Sequence, residues 1–112
     1  MSSEITFVEY VITQLSSLDD VRYKKMFGEY AIYYKNKIVA LICDNQFLVK
    51  ITKQGEDFIK NYETALPYPG AKPCFLIDEK LEDSDFCSEL IRITYSDLPE
   101  PKIKKRKANF NS

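Results

Sequence analysis

Chemistry in this 112-residue chain would have to come from a short menu of groups. Histidine is absent from the sequence. That removes the commonest general base near neutral pH, every histidine-containing triad and most zinc sites. What remains is three cysteines, a run of carboxylates between Glu79 and Asp85, a tyrosine-rich stretch around Gly28, and five basic residues near the C-terminus.

Cys43, Cys74 and Cys87 are odd in number and far apart, so they fit neither a disulfide framework nor a Cys-x-x-Cys metal site. Two fall in predicted strands and one on a predicted helix, where reduced cysteine serves as a small buried hydrophobe. A reactive thiolate needs a cationic or helix-N-terminal setting. Cys87 comes nearest to one, but Asp83, Asp85 and Glu89 surround it with negative charge. The acids Glu79, Glu82, Asp83 and Asp85 lead into a predicted helix and suit the positive end of its dipole. Neither they nor Asp44-Asn45 have the spacing of a calcium loop. Gly28, Gly55 and Gly70 lie too far apart to form a phosphate-cradling loop. The expectation is a protein without catalytic residues, metal or cofactor.

The stretch Phe27-Gly28-Glu29-Tyr30-Ala31-Ile32-Tyr33-Tyr34 has the aromatics of an RNA-reading sheet, whose rings stack on bases. It breaks the pattern of such a sheet. Phe27 stands where a basic residue belongs, and Glu29 takes an aromatic position and would repel phosphate. These rings are therefore expected to pack within the protein.

Charge is unevenly spread. From Leu98 onward the chain carries Lys102, Lys104, Lys105, Arg106 and Lys107 against one acid, Glu100; the whole chain is −1, which leaves −5 on residues 1–97. An acidic body is a poor match for a folded face that grips DNA. The five basic residues of the tail are the candidate contacts for nucleic acid or an acidic partner, through weak and salt-sensitive attraction.

The elements that would hold these groups follow from periodicity. Val8, Val11, Ile12 and Leu15 form one helical stripe over residues 5–18, with Thr6 and Glu9 spaced as a capping box. From Arg22 the period falls to two. A short strand or strand-like entry at Tyr23–Phe27 precedes a meander of strands Tyr30–Tyr34, Lys37–Cys43 and Gln46–Ile51, turning at Lys35-Asn36 and Asp44-Asn45. Lys37–Cys43 is apolar on both faces and is expected to be central and covered on both sides. Thr52 can cap a helix reaching Tyr62, with Phe58, Ile59 and Tyr62 inward and Gly55 weakening its first turn. Pro67, Pro69, Gly70 and Pro73 make residues 65–73 a loop; Cys74–Ile77 is a last strand. A final helix covers Ser84 to Ser96, with Phe86, Leu90 and Ile93 inward. Pro99 and Pro101 then end regular structure.

These readings give one domain over residues 1–98 and a disordered basic tail over 99–112. The fold class is α+β: two layers, a four- to five-stranded antiparallel sheet with helices packed on it, in the order α-β-β-β-α-β-α. The longest apolar run, Ile38–Cys43, has six residues, against the roughly 18 a membrane span needs. With MSSEIT at the N-terminus and no basic-then-apolar leader, a cytoplasmic location without membrane contact is expected.

The sequence resembles the TfoX N-terminal domain family. The resemblance rests on Val21-Arg22, Lys25-Met26-Phe27-Gly28, Tyr30-Ala31-Ile32-Tyr33, Ala40-Leu41-Ile42 and Phe47-Leu48-Val49-Lys50. It continues through Gly70-Ala71-Lys72-Pro73 and the acidic lead into the last helix, across roughly residues 4–98. Where the family usually writes Gly-Gly-Tyr-Gly this chain has Gly28-Glu29-Tyr30-Ala31, and Lys35-Asn36 replaces an Asp-Gly turn. The resemblance implies a secretion-chaperone-like α+β fold and no catalytic motif.

The functional expectation is a non-enzymatic regulatory or protein-interaction module, linked to transcriptional regulation of competence through a transcription factor or RNA polymerase. The alternatives are a nucleic-acid-binding accessory using the basic tail and a small-ligand or chaperone-like binder with a groove between sheet and helices. Apolar residues on both faces of the central strand also leave a homodimer open, through a strand edge or a sheet face.

Overall fold

A computed structural model describes residues 3–26 and 28–100. Six antiparallel strands form one sheet: β1 (Val21–Met26), β2 (Glu29–Tyr34), β3 (Lys37–Cys43), β4 (Gln46–Lys50), β5 (Glu63–Ala65) and β6 (Cys74–Ile77). Their lateral order is β1-β2-β3-β4-β6-β5. The helices α1 (Ile5–Gln14), α2 (Lys53–Ile59) and α3 (Ser84–Asp97) pack on one face, and a single 3-10 turn, Glu79–Glu82, precedes α3. The α+β class and the antiparallel sheet stand as expected.

The strand count does not. The expected four or five strands are six, because Glu63–Ala65, at the junction between the expected helix and the loop read over residues 65–73, pairs with β6. Three residues with polar Glu63 and Thr64 carry no period-two signal, so pairing alone makes them a strand. The last strand then inserts between β4 and this short edge.

Helix ends moved for local reasons. Helix α1 stops at Gln14 rather than 18; Leu15, Ser16 and Leu18 each donate to the carbonyl three residues back, tightening the chain while keeping Leu15 and Leu18 buried. The capping box is not used. Glu4 is the N-cap, without a side-chain bond, and Thr6 lies inside the first turn. Helix α2 ends at Ile59, short of Tyr62, and the next residue, Lys60, turns to φ 71°. Its cap is as expected: the Thr52 hydroxyl accepts from the Gly55 N–H at 3.0 Å. In α3 the buried residues are Cys87, Ser88, Leu90, Ile91 and Thr94; Leu90 is inward as expected, Phe86 packs half-buried against the core, and Ile91 rather than Ile93 is the buried isoleucine. Asp83 caps that helix by accepting from the Phe86 N–H at 3.0 Å.

The core lies between the helices and one sheet face. Ile32, Ala40, Ile42, Phe47, Val49 and Phe75 meet Val8, Val11, Leu90 and Ile91, all fully buried. Each large side chain buried there contributes about 1.5–3 kcal/mol by transfer from water. Tyr30 packs on this core, and Tyr34 is buried edge-on against Tyr95. Of the strand tyrosines expected to be structural, only Tyr33 turns to the other face, alongside Arg22.

One irregularity decides what each face carries. The β2–β3 register runs Ile32↔Ala40 and then Tyr33↔Ile38, so Val39 is an extra residue, a β-bulge. Val39 and Ala40 both point into the helix-side core. Beyond the bulge the alternation is reset, which sends Lys37 to the helix side and Ile38 to the opposite side. Lys37 there donates to the carbonyls of Tyr95 and Leu98 at the end of α3.

Candidate interaction surface

The sheet face away from the helices is the most unusual surface of the protein. Strand β3 is apolar on both sides, as expected, yet helices cover only one of them. The expectation of a central strand covered on both sides holds, with a difference in what covers it: on the side away from the helices, neighbouring side chains and the loop after β5 leave Cys43 buried and Ile38 and Leu41 half-buried. A second apolar cluster forms there from Cys43, Leu48 and Cys74, with Leu41, Ala65 and Leu76 half-buried around it.

Register places six of these positions in one line across the sheet. Lys24 pairs with Ala31, Ala31 with Leu41, Leu41 with Leu48, Leu48 with Leu76, and Leu76 with Glu63. Residues opposite one another in adjacent strands project from the same face. The line therefore begins with a cation on one edge strand, crosses four apolar side chains, and ends with an anion on the other edge strand.

Beside this line lies a groove of about 500 Å³ walled by Met26, Ile38, Leu41 and Cys43, with Pro67 and Tyr68 from the loop after β5 on its rim. Glu29 and Lys50 supply its charge. The Glu29 carboxylate is already committed. It accepts from the Ser3 N–H (3.0 Å), the Ser3 hydroxyl (2.7 Å) and the Asp44 N–H (3.0 Å). Lys50 makes no ion pair among the described residues. Next to the groove, Leu66 and Tyr68 are 55% and 61% exposed, the most exposed large hydrophobic side chains among the described residues.

The thiols are placed for packing. All three cysteines are free and buried. Burial, reinforced by the charges of Glu29 and Asp44 and by Cys74, pushes the Cys43 thiol up to about 11. Burial and Asp83 do the same to Cys87, also to about 11. Cys74 is raised by burial despite the opposing charge of Lys50. These are protonated thiols at neutral pH, the reverse of an activated nucleophile. Among the described residues no three His, Cys, Asp or Glu side chains come together as a metal site.

The five basic residues singled out from the sequence, Lys102, Lys104, Lys105, Arg106 and Lys107, lie outside the described residues. Glu100, just before them, is placed: its carboxylate is 3.6 Å from the Lys37 ammonium and accepts from the Asn36 side-chain amide at 3.1 Å. The groove and its rim had not been singled out. Their signal was present in Ile38, Leu41 and Cys43, which alternate with the core-facing residues, but they read as a second buried face.

The helix-free face of the sheet thus combines a second, largely buried apolar cluster with an open groove beside it. The chain belongs to the TfoX N-terminal domain family, whose family model matches residues 13–98. It is also similar to a protein of Spirochaeta aurantia described as an uncharacterized 12.7 kDa protein in the trpE 5' region. The two are 38% identical over 107 residues, 96% of this chain and 93% of the relative. Among the described residues no helix is long and apolar enough to cross a membrane.

Proposed function

We propose that this protein is a non-enzymatic regulatory module that acts by protein contact through the helix-free face of its sheet. The observation that carries the reading is the groove on that face, walled by half-buried Met26, Ile38 and Leu41, with Glu29 and Lys50 at its margin and exposed Tyr68 on its rim. An apolar centre with a polar rim is the build of a protein interface. The raised thiols support a structural role for the cysteines. Membership of the TfoX N-terminal domain family supports the process: transcriptional control of competence genes, with a transcription factor or RNA polymerase as the regulated partner.

The test is genetic and direct. In the native cell, Tyr68→Ala should accumulate normally and reproduce the transcriptional change caused by deleting the whole gene. A silent Tyr68→Ala together with a silent Leu41→Lys would remove the face from the function. Steady turnover of a metabolite by the purified chain would remove the non-enzymatic reading altogether.

A further inference from the structure

The two charges of the groove stand at its opposite ends. Glu29 lies one residue beyond the Tyr30↔Ile42 pair, and Lys50 lies one residue beyond the Ala40↔Val49 pair. That separates them by about 13 Å along the strands, at roughly 3.3 Å per residue, and by two strand positions across the sheet. Leu41 sits between them on β3. The thiols of this face feel the difference. Burial raises both Cys43 and Cys74, but Glu29 adds to the rise at Cys43 and Lys50 opposes it at Cys74.

The two charges also differ in availability. The Glu29 carboxylate already accepts three bonds from Ser3 and Asp44. Lys50 is half-buried and has no ion-pair partner among the described residues. With Ile38 it also borders a second hollow, of about 340 Å³, so its ammonium stands where two openings meet. The Glu100 carboxylate beside that hollow is engaged by Lys37 and Asn36.

Charge complementarity selects the occupant. A cation would be repelled by Lys50 and would find Glu29 already bonded. A neutral apolar molecule would shield the Lys50 ammonium from water and give it nothing in return. A carboxylate on an apolar body answers both needs, and repulsion from Glu29 allows it one orientation. The size agrees: a groove of about 500 Å³, mainly apolar with one charged group to orient the guest, is built as small-molecule sites are.

We infer that this groove binds a small carboxylate with an elongated apolar body, its acid on the Lys50 ammonium and its hydrocarbon against Ile38, Leu41 and Met26. The inference goes beyond the protein-contact reading of this face and does not rest on it, since it concerns the floor of the groove rather than the exposed rim.

An amide NMR titration of the full chain with octanoate tests this, with octanol as the uncharged counterpart. Octanoate should bind saturably and shift the amides of Ile38, Leu41, Cys43 and Lys50. Octanol should bind about tenfold more weakly, the size of one charge-assisted contact. Hexanoate should also bind about tenfold more weakly than octanoate, for two methylenes withdrawn from the apolar wall. Lys50→Met should weaken octanoate about tenfold and leave octanol unchanged. Lys24→Met, on the same sheet face but outside the groove, should change neither. No saturable shift at millimolar octanoate overturns the site, as does equal binding of octanoate and octanol by the wild type. Equal weakening by Lys50→Met and Lys24→Met also overturns it, by showing general attraction to surface cations. Octanoate binding alongside a silent Tyr68→Ala in the cell would keep the ligand site and remove Tyr68 from the contact reading. Absent binding alongside an active Tyr68→Ala phenotype would do the reverse.

Discussion

Lys37 donates to the backbone carbonyl of Tyr95 at 2.8 Å while its ammonium lies 4.2 Å from the centre of the Tyr95 ring. It also donates to the Leu98 carbonyl at 2.8 Å. A cation from the sheet thus closes the C-terminal end of α3, where carbonyls are left without helical partners and the dipole is negative. The side chain is 7% exposed, so these bonds form largely away from water. Lys37→Met keeps the length of the side chain and removes the charge. It should cost about 2 kcal/mol, the range of hydrogen bonds to a charged group. Urea unfolding measures it; a loss under about 0.5 kcal/mol would mean that water serves the carbonyls equally well.

The glycine of α2 is there for space. A Cβ at Gly55 would lie 3.0 Å from Phe75 Cε2 and 3.0 Å from the Thr52 Oγ1 that caps the helix. Neither neighbour can retreat easily: Phe75 is fully buried with Tyr62 edge-on against it at 4.8 Å, and Thr52 is held by its capping bond. Helix propensity favours alanine by about 1 kcal/mol, whereas overpacking a fixed core costs about 1–3 kcal/mol. Gly55→Ala should therefore lower the melting temperature. A rise would show that Phe75 shifts more freely than its surroundings suggest.

Much of this architecture could be read from the chain. The meander came from period-two alternation and two turns, and Asp44-Asn45 takes φ 53° and 57° as a two-residue hairpin demands. At Lys35-Asn36 the positive φ falls on Lys35, at 57°, rather than on the more tolerant asparagine. Thr52 was legible as a cap because capping is local chemistry, whereas Asp83 was legible only as one of the acids leading into α3 and not as its cap. The bulge at Val39 was not legible, since one added residue in an all-apolar strand changes no pattern. Yet it decides that Lys37 meets α3 and Ile38 meets the groove. The helix-free face was hidden for the same reason: Leu41 and Leu48 look alike under a helix or under a loop. Tyr68 sat among prolines and glycine, where spacing says nothing about which way a ring points.

The cysteines make a prediction about alkaline stability. Folding raises Cys43 and Cys87 from 9.0 to about 11. The unfolded chain therefore loses these protons first, and above its thiol value the folded state holds more protons than the unfolded one. Stability from this source is complete below about pH 9 and is lost as pH rises toward about 11. Urea midpoints should fall across that window, and Cys43→Ala with Cys87→Ala should flatten the fall relative to wild type. An equally steep fall in the double variant would assign the effect to lysines and tyrosines. At neutral pH, thiol reagents should label the folded protein only at the rate at which it opens.

Glu29 offers the sharpest local test, because it stands where the family usually has glycine and holds together three segments that are distant in sequence. Its carboxylate accepts three bonds, two from Ser3 and one from the Asp44 N–H, at the mouth of the β3–β4 turn. Ser3 in turn accepts from the Asn45 N–H at 3.0 Å, and Asn45 accepts from the Glu4 N–H at 2.9 Å. The chain entering α1 is thus tied to the hairpin by a linked set of bonds, at a helix start that has no side-chain cap of its own. Glu29→Ala would leave three donors without their acceptor. Because Ser3 is buried, its share is not simply returned to water, and a total loss of about 1–3 kcal/mol follows. Glu29→Gln keeps one carbonyl oxygen but turns an NH2 toward a donor, so it should fall between alanine and wild type. Hydrogen exchange gives the decisive readout: amides of α1 and of Asp44-Asn45 should lose protection together in Glu29→Ala, while those of α3 keep theirs. Uniform loss across all helices would instead mean that Glu29 contributes only to global stability and that the N-terminal segment has no separate latch.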